Sequence, residues 1–149
     1  MAGTIIADSV EAAATSQMVI KNGISSAPPQ FQDGAGTQIG TLCRAWVNFN
    51  GTGTVAIRAS FNVSSITDHA VGEYTVNLTN AMPDINYAVA ASAQSPATSQ
   101  ISIAMFNYFT AGPTLTKVDP TASAFRFICT LSTSPYAADP PFAMVNVFR

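Results

Sequence analysis

Few residues in this chain have the chemistry for catalysis, and the single histidine, His69, is the first to consider. A histidine acts as a general base when a carboxylate orients it and an activated serine or cysteine lies within hydrogen-bonding distance. His69 follows Asp68 in a predicted hairpin turn, and no G-x-S-x-G or equivalent motif accompanies it. The pattern therefore favours a solvent-exposed turn residue over a member of a catalytic triad.

Five of the six aspartates are spread one to a loop, at Asp33, Asp68, Asp84, Asp119 and Asp139. Two of them could still meet in the folded chain, as the paired carboxylates of a glycoside hydrolase do. One histidine cannot supply a histidine-based metal site. The glycine-rich run NGTGT at 50–54 lacks the G-K-[ST] ending that places a lysine on phosphates. We therefore expect no enzyme activity, no cofactor and no metal, and a hairpin turn at 50–54.

The two cysteines, Cys43 and Cys129, are too few for a disulfide framework or a zinc site. Both fall within strand patterns. Two readings stay open: free thiols that are buried and pack as small apolar groups, or a Cys43–Cys129 bridge across the core.

Charged side chains are scarce, at 9% of the 149 residues with a net charge of −2, where a typical soluble chain has roughly 25%. A surface with so few charges is poorly protected from self-association, which predicts an obligate oligomer. The basic residues form no cluster, which argues against nucleic-acid binding. No apolar run approaches the roughly 20 residues of a membrane span, and the first residues lack the basic region of a secretory signal.

The scaffold for these residues is predicted to be β, because the two-residue period of a strand recurs from Thr41 onwards. The run VAIRASFNV alternates most regularly, and its apolar side chains are predicted to face the core: Val55, Ile57, Ala59, Phe61 and Val63. Single apolar faces are also predicted for three other strands, formed by Cys43, Ala45, Val47 and Phe49; by Tyr74, Val76 and Leu78; and by Phe125, Phe127, Cys129 and Leu131.

Two later runs, ISIAMFNYF (101–109) and FAMVNVF (142–148), are apolar on both faces. Such strands are expected to be covered on both sides, by a second layer or by a partner subunit. Short strands separated by Gly, Pro, Asn and Ser turns, with no amphipathic helix between them, predict an all-β fold. The expected body is an antiparallel β-sandwich or a jelly-roll-like arrangement.

Residues 1–36 are predicted to form an extended N-terminal arm and linker, and residues 37–149 the β-sandwich body. Two conformations of the arm stay open. Asp8 and Glu11 have the spacing of a capping box, which favours a short helix, whereas Thr4–Ile6 is β-prone and favours an extended strand. In either form, the arm is expected to dock on a neighbouring subunit or on a larger structure.

Four segments between residues 36 and 91 carry a family resemblance: GTQIGTLCRAWVNFNG (36–51), IRASFNVSSITD (57–68), YTVN (74–77) and AMPDINYA (81–88). They resemble a module of virion structural proteins of tailed phages, especially phages of cyanobacteria and marine bacteria, which are commonly described as tail-fibre-like. The resemblance is weaker in the arm and beyond Ile101. No catalytic motif comes with it.

The resemblance implies a virion structural protein, made in the host cytoplasm and located on the particle. The expected form is a short homotrimeric fibre or fibre-like component, attached through its N-terminal arm and projecting its β-body toward the host surface. A capsid decoration or cement protein that bridges shell subunits is the alternative. The expected partners are further copies of the chain, other virion proteins of tail or capsid, and a host surface glycan, with no nucleic acid and no membrane insertion. A carbohydrate-binding module or depolymerase is a third hypothesis.

The candidate site residues serve assembly or recognition rather than catalysis. Subunit contacts are expected from outward-facing residues of the early strands and from the late apolar strands, at Arg44, Trp46, Arg58, Ile103, Phe106, Tyr108, Val145 and Val147. Attachment to the particle is expected from apolar side chains of the arm, at Ile5, Ile6, Val10, Met18 and Ile20. Tyr136, in the loop TSPYAADPP, is the aromatic residue best placed to face a ligand such as a sugar ring.

Overall fold

The computed structural model of the chain describes residues 31–94, 101–105, 108–110, 115–131 and 137–149. Within these ranges, all of the regular secondary structure is β, which confirms the predicted all-β class. The conformation predicted for the arm, helical or extended, lies outside the described residues.

The strands of the described residues are, in chain order, β1 (Phe31–Gln32), β2 (Gln38–Gly40), β3 (Cys43–Asn50), β4 (Ala56–Phe61), β5 (Val63–Ala70), β6 (Glu73–Leu78), β7 (Ala88–Gln94), β8 (Ile101–Met105), β9 (Tyr108–Thr110), β10 (Leu115–Lys117), β11 (Ala124–Leu131) and β12 (Phe142–Phe148). Sheet I has the order β4-β3-β12-β7 and sheet II the order β5-β6-β11-β8. Every pairing within these sheets is antiparallel. Two small ribbons, β1-β2 and β9-β10, complete the fold.

The two sheets pack face to face as an antiparallel β-sandwich. Successive strands change sheet between β4 and β5, β6 and β7, β7 and β8, and β11 and β12. Strands β4 and β5 are in contact, as are β7 and β8, each pair linking the two sheets. The predicted strand at 101–109 is wrong in its extent, because β8 belongs to sheet II whereas β9 pairs with β10 in a separate ribbon.

The core lies between the facing sides of the two sheets. Sheet I contributes alternate residues of β3 and β12: Ala45, Val47, Phe49, Ala143, Val145 and Val147. Sheet II contributes alternate residues of β6 and β11: Tyr74, Val76, Leu78, Phe125, Phe127 and Cys129. The rings of Phe49 and Tyr74 meet edge to face, with their centroids 5.1 Å apart, a geometry that favours aromatic pairing. The inward faces predicted for β3, β6 and β11 are thus confirmed, except that Cys43 and Leu131 are only partly buried.

Strand β4 departs from its prediction, because all of its residues are exposed. In the pairing of β3 with β4, Asn48 is opposite Ala59 and the next residue, Phe49, is opposite Ile57. Arg58 has no partner on β3 and is therefore an extra residue in β4. A bulge of this kind breaks the two-residue alternation. Ile57 therefore shares the inner face with Phe49, whereas Ala59 and Phe61 share the outer face with their partners. The prediction that Ala59 and Phe61 face the core is wrong for this reason.

The turn predicted around His69 is shorter than expected. Strand β5 continues through Ala70, so His69 lies within a strand, and only Val71 and Gly72 form the turn to β6. Gly72 has a φ of 72°, and a Cβ at this position would lie 2.5 Å from the carbonyl oxygen of Cys129. Only glycine fits this turn without strain.

The end of the predicted linker folds as the β1-β2 ribbon. The Asp33 carboxylate accepts hydrogen bonds from the amides of Ala35 and Thr37, each at 2.9 Å, and closes the turn. Phe31 then lies opposite Gly40 across the ribbon. The domain boundary predicted at residue 36 falls inside this turn.

Candidate interaction surface

The two outer faces of the sandwich differ in chemistry. On the outer face of sheet II, strands β5 and β6 present polar side chains, and the Asn77 side-chain amide donates to the hydroxyls of Ser65 (3.1 Å) and Thr67 (2.9 Å). Sheet I presents aromatic rings and a thioether to solvent. Because monomeric proteins rarely expose contiguous apolar patches, this face is the candidate interaction surface of the described residues.

Four apolar side chains dominate the outer face of sheet I: Trp46 (37% exposed), Phe61 (56%), Phe142 (39%) and Met144 (40%). Trp46 lies directly opposite Phe61 on the neighbouring strand. Met144 on β12 lies opposite Asn48, which is two residues after Trp46 on β3. Side chains opposite each other in an antiparallel pair share a face and contact each other. We call this set, together with Asn48 and Arg58, the outer apolar face.

Two polar groups lie within the outer apolar face. The Arg58 guanidinium carbon is 3.9 Å from the centroid of the Phe142 ring, a cation–π contact. Among the described residues, the Asn48 Oδ1 atom is buried without a hydrogen-bond partner. A buried amide oxygen without a donor costs roughly 1–3 kcal/mol.

His69, the single histidine of the chain, lies beside a hydroxyl group. Its Nε2 atom lies 2.9 Å from Thr75 Oγ1. Burial, aided by the nearby Arg126 guanidinium, lowers the His69 pKa below its usual value. Asp68, the residue before His69 in β5, is paired with Tyr74 and lies on the same face of sheet II as that residue. Thr75 follows Tyr74 in β6 and lies on the opposite face. Asp68 therefore does not orient His69 toward Thr75 as a triad carboxylate would.

The second polar feature near His69 is an ion pair between Arg126 Nη2 and Glu73 Oε1, with the Glu73 carboxylate buried. It ties β6 to β11 on the outer face of sheet II. Within the described part of the chain, no group of three or more His, Cys, Asp and Glu side chains is placed to hold a metal ion. Both cysteines are free thiols, so the reading with a Cys43–Cys129 bridge is wrong.

A groove lies at the end of the sandwich where β3 begins. It has a volume of about 510 Å³ and is lined by Leu42, Cys43, Arg44, Phe61, Asn62, Thr79 and Asn80. Asn62 has a φ of 56°, and its side chain bridges two strands' ends by donating to the carbonyl oxygens of Arg44 and Asn80, each at 3.1 Å. Asparagine tolerates this left-handed conformation better than most residues. These hydrogen bonds fix the position of Asn62 relative to Arg44 and Asn80 in the wall of the groove.

The residues predicted as subunit contacts divide into three groups. Trp46 and Arg58 lie on the outer apolar face, and Arg44 lines the groove. Val145 and Val147 are each 1% exposed in the core, so their prediction as contact residues is corrected. Ile103, Phe106 and Tyr108 have no described side chain; the predicted arm contacts Ile5, Ile6, Val10, Met18 and Ile20, and the predicted ligand contact Tyr136, also lie outside the described residues.

The sequence interpretation missed Phe61. It expected the strand at 142–148 to line a subunit interface but chose Val145 and Val147 as the contact residues instead of Phe142 and Met144. The sequence of β12 is apolar on both faces, which predicts that one face packs on the core and the other is covered by a partner subunit or a second layer. It does not reveal which face is the core: Phe142 and Met144 face outward and the valines inward. The exposure of Phe61 depends on the bulge at Arg58, and the regular alternation of VAIRASFNV gives no signal for a bulge.

Among the described residues there is no helix long and apolar enough to cross a membrane. In comparisons with known proteins, the chain matches no family model, no curated protein and no solved structure.

Proposed function

We propose that this chain is a structural subunit of a phage particle, a short homotrimeric fibre or fibre-like component. Its N-terminal arm attaches to the particle, and its β-sandwich projects toward the host surface. The observation that carries the self-assembling role is the outer apolar face, with Trp46, Phe61, Phe142 and Met144 turned to solvent in the single chain. The phage setting is supported by the resemblance of residues 36–91.

The composition of the outer apolar face is that of a protein interface. Aromatic residues, Met and Arg are enriched in such interfaces, whereas Lys, Glu and Asp are depleted. The side chains of this face are two Phe, one Trp, one Met, one Asn and one Arg. Burying such a surface against other subunits contributes about 25 cal/mol per Å² of apolar area removed from water. A charge-poor chain with this face is thus suited to assembly.

The two ends of the sandwich suit a fibre-like orientation. The arm joins the body at the end where Thr41 Oγ1 donates to the carbonyl oxygen of Arg149 at 3.0 Å. At the opposite end, the Gly51 amide donates to the carbonyl oxygen of Pro140 at 2.8 Å. The predicted ligand-facing loop is flanked by the residues of this second end, since Thr130 bridges to Ala137. Attachment at one end would therefore leave the other end free to meet the host.

The experiment is to locate the protein on purified particles and count its copies. A tail fibre gives a handful of copies at the tail, whereas a decoration protein gives hundreds over the capsid. The full chain carrying Ile5→Asp and Ile6→Asp should keep its oligomeric state but fail to join particles, and Val71→Asp, at the exposed β5-β6 turn, is the matched control. Capsid location with hundreds of copies supports the decoration alternative, and absence from particles contradicts a virion role altogether.

A further inference from the structure

The end of the sandwich at which the arm joins the body presents apolar side chains to solvent. Ile39 is 69% exposed, the largest fraction of any large apolar side chain among the described residues, and Leu42 and Ile85 are 44% and 55% exposed. None of the three belongs to the outer apolar face. We call Ile39, Leu42 and Ile85 the basal apolar patch. Exposed apolar residues grouped in this way indicate a contact with another molecule.

The strand pairing brings the residues of this patch to one end of sheet I. Phe148, the last residue of β12, lies opposite Cys43, the first residue of β3, and opposite Ala88, the first residue of β7. The segments that precede β3 and β7 therefore leave the sheet at the same end. Leu42 immediately precedes β3, and Ile85 lies shortly before β7 in the same loop as Asp84.

An ion pair holds the Ile85 loop against the start of β3. Arg149 Nε donates to Asp84 Oδ1 at 3.0 Å, and Arg149 Nη2 donates to the other oxygen of the same carboxylate. The Thr41 hydroxyl donates to the carbonyl oxygen of Arg149 at 3.0 Å. Leu42 follows Thr41 in the chain and Ile85 follows Asp84, so both apolar residues are next to an anchored one. Because bidentate pairs fix geometry as well as charge, this end of the body is preorganised for contact.

The charge and the place of the patch identify its partner. Asp84 and Arg149 carry opposite charges and offset each other, and the residues from Gln38 to Leu42 are uncharged. A charged surface placed against this end would lose hydration without gaining a counter-charge, so an uncharged apolar surface fits better. Thirty residues precede Phe31, where the described chain begins at this end. These residues form the arm that is proposed to attach to the particle.

We propose that the basal apolar patch contacts an uncharged apolar surface of the virion protein to which the arm attaches. The body then makes a second contact with the particle, in addition to that of the arm. This inference rests on the proposed function, because the arm is what brings this end of the body to the particle. Attachment through one segment leaves the direction of the sandwich undetermined, whereas a second, preorganised contact sets the direction in which it projects.

Particles produced with a variant chain in place of the unaltered one test this contact. The variant is Ile39→Ser with Ile85→Ser, and the measurement is the number of copies per purified particle after a wash in 1 M NaCl. At this salt concentration the Debye length is about 3 Å, so exposed charge contacts are screened whereas apolar ones persist. The unaltered chain should withstand the wash, and the variant should be retained in at least fivefold fewer copies.

Val71→Ser is the matched control, because Val71 is 58% exposed in the β5-β6 turn at the opposite end of the sandwich. It should be retained in full. In solution, static light scattering should give the Ile39→Ser, Ile85→Ser variant the mass of the unaltered chain, because the patch lies outside the proposed subunit contact. The unaltered chain should not bind phosphatidylcholine vesicles, since the proposed partner is a protein.

Three results would overturn the second contact. They are full retention of the variant on washed particles, a lower mass of the variant in solution, which would make the patch a subunit contact, and vesicle binding that the variant loses, which would make the partner a lipid surface. Each of these leaves the virion role in place as long as the unaltered chain is found on particles. Absence of the unaltered chain from particles contradicts the proposed function itself, and the second contact with it.

Discussion

Trp46 on β3 and Phe61 on β4 lie directly opposite each other, and both side chains are on the outer face of sheet I. Trp46 faces outward because its neighbours Ala45 and Val47 are in the core. Phe61 faces outward because the extra residue Arg58 shifts the pairing of β4 by one position. The bulge thus places two aromatic side chains on the same face, where regular alternation would place only Trp46. This pair is the centre of the proposed assembly contact.

The turn between β5 and β6 should not tolerate a side chain at Gly72. In Gly72→Ala, the Cβ would lie 2.5 Å from the Cys129 carbonyl oxygen and 2.8 Å from the Ala138 amide nitrogen. We expect a loss of about 3 kcal/mol or more in unfolding free energy, combining a left-handed backbone cost of roughly 1–2 kcal/mol with an overpacking cost of roughly 1–3 kcal/mol.

Gly53→Ala is the matched control for this prediction. Gly53 also has a positive φ, 65°, but a Cβ there meets nothing within 4 Å. It should lose only the backbone cost, about 1 kcal/mol. Urea denaturation measures both variants, and equal losses would show that the described turn at Gly72 is wrong.

The Tyr74 hydroxyl should contribute more to stability than the Tyr87 hydroxyl. Tyr74 donates to Asp139 Oδ1 at 2.7 Å, and the same carboxylate oxygen accepts the Gly72 amide at 2.6 Å, so one carboxylate ties the loop before β12 to β6 and its turn. Tyr87 donates to a neutral acceptor, the Thr121 carbonyl oxygen, at 2.9 Å.

Hydrogen bonds to charged groups are worth roughly 1.5–3 kcal/mol and neutral ones roughly 0.5–1.5 kcal/mol. We therefore expect Tyr74→Phe to lower the free energy of unfolding by about 2 kcal/mol and Tyr87→Phe by about 1 kcal/mol. Both substitutions remove the same hydroxyl from a buried ring, so the comparison isolates the acceptor. A larger loss for Tyr87→Phe would contradict the role given to Asp139.

The two thiols should differ in reactivity in the folded protein. Cys129 is 0% exposed, whereas Cys43 is partly exposed in the groove wall. At pH 8, a thiol-specific reagent should label one cysteine per native chain and two after unfolding in guanidinium chloride. Peptide mapping should place the native label on Cys43. Labelling of Cys129 in the native state would contradict its position in the core.

Stability should fall as the pH rises above about 9. Burial raises the Cys129 pKa from 9.0 to about 12 in the folded chain. Because the unfolded thiol releases its proton at a lower pH than the folded one, the unfolded state gains relative stability between these two values. The slope is at most about 1.4 kcal/mol per pH unit for one group. Tyr87, whose pKa burial raises to about 12, adds to the effect in the same direction above pH 10.

The variant Cys129→Ala measures the share of this slope that belongs to the thiol. Its unfolding free energy, followed by denaturant titration between pH 8.5 and 11, should fall less steeply than that of the unaltered chain. The comparison is of slopes, since the substitution also lowers stability at every pH by removing packing. Identical slopes in the two proteins would show that Cys129 is not shielded as described.

Much of the fold could be predicted from the sequence because three strands keep an unbroken alternation. Residues such as Val47, Val76 and Phe127 occupy the core as their spacing requires. Strand β4 shows where this reasoning ends, since one bulged residue reverses the faces of the positions after it. His69 likewise lies in a strand because only Gly72, with its positive φ, permits the tight turn.

The candidate surface was harder to predict than the core. In β12 both faces are apolar, and only the position of sheet II above β12 makes Val145 a core residue and Met144 an outer one. The sequence pattern of β12 does not indicate which of its two faces packs against sheet II. Trp46 could be identified, because it is the outward residue of a strand whose inward face is unambiguous.

The mass of the full chain in solution tests the assembly proposal most directly. Static light scattering at about 50 μM should give three times the 15.5 kDa of one chain. Trp46→Ser and Phe61→Ser should each weaken association by roughly 30-fold, which corresponds to about 2 kcal/mol for an interface hot spot, and Val71→Ser should leave the mass unchanged. A monomeric mass for the unaltered chain, or a trimeric mass that both face variants retain at dilution, would contradict the role of the outer apolar face.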